Sequence, residues 1–76
     1  MIFLVQFYKG YDRSIPLYTE ETTTLYEAMV TARKGTQKPN VSKLADVFDA
    51  HGQFIFYFKD GELCSNVINK TYKNKC

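Results

Sequence analysis

The chain reads as an α+β domain: two layers, with one main helix on one face of a mostly antiparallel sheet of four or five strands, in the order ββαββ(β). Three observations predict this. Residues 2–8 and 53–59 are short runs rich in Phe, Tyr, Ile and Val that stop at turn signals, the pattern of buried strands. Between them, residues 24–35 carry the cap and periodicity of a helix. After the second run, Asp60-Gly61 is a two-residue hairpin signal, so the chain should turn back antiparallel.

Taken in order, Ile2 to Tyr8 form the first strand. Phe3, Val5 and Phe7 share one side, and Ile2, Leu4, Gln6 and Tyr8 share the other. Gly10 to Ser14 is polar and turn-like. Ile15 to Thr19 then reads as a partner strand, with Pro16 tolerable only on a sheet edge because it lacks an N–H. Thr24 is a good N-cap, and Glu27 three residues later completes a capping box that satisfies two orphaned helix amides. Leu25, Ala28, Met29 and Ala32 follow the i, i+3, i+4, i+7 rule and should face inward. Arg33 and Lys34 suit the negative end of the helix dipole, and Gly35 is placed to end the helix as its C′ residue.

Residues 36–42 are a polar linker inside the domain. Leu44 to Asp49 is ambiguous. A strand is preferred, leading through Ala50-His51-Gly52 into the next run. A short helix capped by Ser42, with Leu44, Val47 and Phe48 inward, is the alternative. Gln53 to Lys59 is the strongest strand, and Glu62 to Val67 should pair with it. The organisation is a single domain over 1–68 and a basic tail over 69–76 that should fray.

One helix covers one face of a sheet. The covered face should hold Phe3, Val5, Phe7, Phe54, Phe56 and Phe58, which leaves Ile2, Leu4, Tyr8, Ile55 and Tyr57 on the other. Large apolar patches of that kind mark interfaces, and tyrosines are enriched at binding hot spots. These five residues are therefore the candidate partner-binding set, toward another protein or toward a second copy in a homodimer. If Leu44 to Ala50 is a helix instead, it covers this face and makes it core.

Composition narrows the function classes. At 76 residues there is room for one core, and folding buries only ~60% of the unfolded surface. An active site would have to sit on the outside of that core. His51 is the only histidine and has no nucleophile or ligand set around it. Asp46, Asp49 and His51 are near in sequence, but two carboxylates and an imidazole in a row match a solvated turn as well as a divalent-ion site. Cys64, Cys76 and His51 lack zinc spacing. The expectation is a non-enzymatic binder with no metal and no cofactor. Two cysteines make no disulfide framework, so Cys64 reads as a small buried residue and the compartment as reducing. Met1 to Val5 is too short for a signal h-region and no stretch is long enough to span a membrane, which favours the cytoplasm.

A net charge of +2 does not by itself announce a polyanion. Even so, Arg33, Lys34, Lys38 and Lys43 form a possible phosphate-binding stretch with no acid until Asp46. The tail adds Lys70, Lys73 and Lys75 around Tyr72, a mixture that suits single strands. Against this, His51 to Phe58 fails the RNP1 pattern, and eight acidic residues dilute the field. Nucleic acid is the alternative partner.

The N-terminal strand, the capped helix Thr24 to Lys34, and Val47-Phe48-Asp49-Ala50-His51-Gly52-Gln53-Phe54-Ile55-Phe56 ahead of Asp60-Gly61 resemble the small ββαββ proteins common among early genes of tailed phages and related mobile elements. The resemblance covers most of the chain and implies a protein that binds and blocks a host enzyme or defence factor in the host cytoplasm. The first half is also similar to the β-grasp of ubiquitin, through Met1 to Gly10, a return strand and a helix ending at Lys34-Gly35. The tail Asn74-Lys75-Cys76 lacks the diglycine of a conjugated modifier, so no conjugation role is implied.

Overall fold

A computed structural model of the chain describes residues 1–65. These residues hold five strands and one helix: β1 (Phe3–Lys9), β2 (Asp12–Thr22), α1 (Leu25–Thr36), β3 (Ser42–Phe48), β4 (Phe54–Lys59) and β5 (Glu62–Ser65). The strands form a single antiparallel sheet in the order β2-β1-β3-β4-β5, and α1 packs on it, so the protein is α+β as predicted. The basic tail at 69–76 lies outside the described residues.

The preferred reading of Leu44 to Asp49 as a strand holds. β3 is the central strand, and its pairing places Leu44, Asp46 and Phe48 on one face and Ala45 and Val47 on the other. A strand used on both faces has little polar alternation, which is why its sequence also fits a helix. β2 is longer than Ile15–Thr19 because it stays paired with β1 from Asp12 to Thr22. It is an edge strand, which is where Pro16 is tolerated.

The helix begins as expected. The Thr24 hydroxyl accepts from the Glu27 amide at 3.1 Å. The Glu27 carboxylate accepts from the Thr23 amide and hydroxyl rather than from Thr24. Ala28 and Ala32 are wholly buried against Val5, Phe7, Ala45, Val47 and Phe58. Leu25, expected inward, is exposed. The small inner face lets the helix sit close to the sheet, and there Gly35 has a different role from the one its position suggested. It is helical, and a Cβ on it would collide with the Phe7 ring. The helix is capped instead by Gln37, whose amide donates to the Lys34 carbonyl at 3.5 Å, and Asn40 Nδ2 donates to the same carbonyl at 2.8 Å. Thr36 ties this end to the β4–β5 turn, its hydroxyl accepting from the Gly61 amide at 3.0 Å. Asp60 and Gly61 both have positive φ (55° and 79°), as the two-residue hairpin requires.

One further correction comes from β4. Pairing with β3 slips between Val47 and Phe48, so that Phe48 opposes Phe54 while Val47 opposes Phe56, leaving Ile55 as the extra residue. The bulge breaks the strict alternation. Phe54 stands beside Phe48 and Tyr57 on the face away from the helix, with ring centroids 5.9 and 6.3 Å distant. Ile55 packs against the helix-side core. Both are the reverse of the sequence expectation.

Candidate functional site

The sheet face away from α1 was expected to be a run of apolar side chains. Its centre is polar. Asp46 on β3 is 4% exposed and is held by Arg13 through two parallel bonds, Nη2 to Oδ1 at 2.7 Å and Nε to Oδ2 at 2.8 Å. This bidentate fork is the strong form of the arginine–carboxylate pair. Arg13 comes from the start of β2, crosses β1, and lays its guanidinium 4.9 Å from the centroid of the Tyr57 ring. Tyr8 stands beside Asp46 and completes the group. Burial, and then the Asp46 charge beside it, pushes the Tyr8 hydroxyl pKa above its ordinary value near 10.0. Next along β1, Gln6 donates to the carbonyls of Phe7 and Tyr18 and accepts from the Thr19 hydroxyl. No buried side-chain nitrogen or oxygen among the described residues lacks a partner.

Of the five residues expected to bind a partner, Leu4, Tyr8 and Tyr57 lie half-buried on this face, and Ile2, just before β1, is 43% exposed. Ile55 leaves the set because of the bulge. Phe48 and Phe54 enter it, Phe54 at 38% exposed. Leu44 and Cys64 on this face are buried, and its more exposed apolar side chains gather at the end where β1 and β4 begin, around Ile2, Leu4, Phe48 and Phe54. Tyr8 and Tyr57 flank the ion pair rather than form an apolar patch. Phe48 and Phe54 were visible as aromatic residues. What escaped sequence reasoning was the one-residue slip that turned Phe54 to the other face.

The three residues considered for a metal do not converge. Asp46 is committed to Arg13, while the Asp49 carboxylate caps its own loop, accepting from the amides of His51 at 2.8 Å and Gln53 at 2.9 Å. The Gln53 amide is the main reason the Asp49 pKa lies below its usual value. His51 is exposed. No group of three His, Cys, Asp or Glu among the described residues could hold an ion. Cys64 is wholly buried, as expected, but it is disulfide-bonded rather than the free thiol of a reducing compartment.

The four possible phosphate-binding residues share one end of the molecule. Arg33 and Lys34 lie in the last turns of α1, Lys38 in the loop that follows, and Lys43 near the start of β3. The topology adds two that the sequence stretch did not include, Lys9 at the end of β1 and Lys59 at the end of β4.

Comparison with protein-family models, with curated proteins and with solved structures gave no match. No helix among the described residues is long and apolar enough to cross a membrane.

Proposed function

We propose that the protein is a small, non-enzymatic protein-binding module that inhibits or modulates its partner. The reading rests on one observation: the end of the sheet where β1 and β4 begin keeps Ile2 and Phe54 exposed beside the half-buried Leu4 and Phe48. Aromatic and aliphatic residues gathered in this way are the usual centre of a protein interface. The buried polar atoms of the stripe beside them all have partners, so it can border an interface without leaving buried groups unsatisfied. The resemblance to small phage ββαββ proteins supports a host enzyme or defence factor as the partner.

The test is affinity capture of the tagged protein from a bacterial host at low and at high salt, with mass spectrometry of what stays bound. One stoichiometric protein that survives high salt should be captured by the wild type and lost from the double variant Ile2→Ser, Phe54→Ser. Both side chains are exposed, so the variant should fold. If the variant captures the same protein equally well, this surface is not the binding site.

A further inference from the structure

The order of the elements sorts the charges. β1, α1 and β4 all run toward one end of the molecule, and β2, β3 and β5 all leave it. Lys9, Arg33, Lys34, Lys38, Lys43 and Lys59 consequently gather at that end, although they are spread over fifty residues of sequence. The other end carries Glu20, Glu21, Glu27 and Asp49, with no described lysine or arginine. The net charge of +2, which includes Lys70, Lys73 and Lys75 outside the described residues, hides this separation, because opposite charges at the two ends cancel in a total.

Three carboxylates share the basic end, and two of them, Asp12 and Asp60, are engaged in side-chain hydrogen bonds. Asp12 accepts from the Ser14 amide and hydroxyl, Asp60 accepts from the Tyr11 hydroxyl at 2.6 Å, and Glu62 stands opposite Lys59 in the β4–β5 register. The six cations make no salt bridge; among the described residues the Arg13–Asp46 pair is the only one. The scaffold beneath them is tightly bonded. Gly10 donates to Val41 and accepts from Lys43, Asp60 donates to Lys43, and Gly61 donates to Thr36. Tyr11, 56% exposed, lies in the same place, with the Lys59 ammonium 5.6 Å from its ring centroid.

We infer that this end binds a single-stranded nucleic acid through its phosphodiester backbone. The cations do not converge on one pocket. They come from one helix, three strands and a loop, so they match a line of charges better than a single phosphate. An exposed tyrosine among lysines offers a stacking surface to a base, which an acidic protein surface would not use. The site lies at the opposite end from the apolar surface of the proposed interface, and the inference does not depend on that reading.

The test is fluorescence anisotropy of a labelled oligothymidylate titrated with the full chain at several salt concentrations. With about three or four phosphates engaged, affinity should fall roughly 20- to 50-fold between about 50 and about 200 mM salt, at ~0.7 log units per phosphate per decade for a single strand. Lys34→Gln and Lys38→Gln, both at exposed positions, should each reduce that slope by about 0.7. Tyr11→Ser should weaken binding without changing the slope, and Tyr11→Phe should restore it. Circular dichroism of each variant separates loss of binding from loss of fold. The inference is overturned by no binding at the lowest salt, by slopes that ignore the lysine variants, or by polyglutamate or a DNA duplex competing as well as the oligothymidylate.

Discussion

The two faces of the sheet are built from the same strands by different means. On the helix side, Val5, Phe7, Ala45, Val47 and Phe58 have essentially no exposed surface, and the small residues Ala28, Ala32 and Gly35 let α1 come close enough to exclude water. Stability there comes from apolar burial and close packing. On the other side, the buried Leu44 and Cys64 and half-buried Leu4, Tyr8, Phe48 and Tyr57 surround a carboxylate, and Arg13 ties the start of β2 across β1 to β3. A helix about 10 Å wide covers about two strands at their ~4.8 Å spacing, so a five-stranded sheet with one helix cannot hide all its apolar area. Among the described residues, polar chemistry stands at the centre of the face that α1 does not cover.

That contrast gives three predictions about stability, in falling order of size. Phe7→Ala removes a ring that fills the space against Gly35 and stacks on Tyr18 at 4.7 Å between centroids. It should cost about 3–5 kcal/mol in denaturant unfolding, enough to threaten the fold of so small a domain. A cost below about 1 kcal/mol would mean that the helix-side core is less tightly packed than this.

Arg13→Gln leaves the Asp46 carboxylate, 4% exposed, without its cation. Removing one partner of a buried pair costs ~3–5 kcal/mol, and the half-exposed arginine reduces that to about 2 kcal/mol here. Adding Asp46→Asn to Arg13→Gln should recover part of the loss, because the charge left behind is then gone. If the double variant is no better than the single one, the stranded carboxylate is not the source of the cost.

The smallest effect belongs to Tyr8. Tyr8→Phe removes the half-buried hydroxyl beside the Asp46 charge and should cost about 1 kcal/mol or less at neutral pH. The folded-state pKa of Tyr8 is raised, so the native protein resists losing this proton. The stabilisation is then fully present below the unfolded value near 10.0 and is lost as pH rises toward and through the folded value. Urea midpoints from pH 8 upward should therefore fall more steeply for the wild type than for Tyr8→Phe once the pH passes about 10. Parallel curves would place the Tyr8 hydroxyl outside the ion-pair network.

Much of the fold was legible because its signals are local. The Thr24 cap, the positive φ at Asp60 and Gly61, and the aromatic strands at each end of the chain depend on neighbours within a few residues. Gly35 shows where local reading misleads: its lack of a side chain serves the approach of Phe7, 28 positions earlier, and the helix end is made by Gln37 and Asn40. The candidate interface was half legible for a similar reason. Ile2, Leu4 and Tyr57 follow from alternation, but the exchange of Phe54 and Ile55 follows from a bulge whose register is set by β3.

By itself, then, the sequence determined the α+β class, the helix start, the β4–β5 turn and the aromatic strands, since each is written in contacts between near neighbours. Only the tertiary structure decided that Arg13 meets Asp46, that Phe54 leaves the helix side, and that six distant cations share one end. Those depend on strand order and register, which bring together residues that no local preference connects.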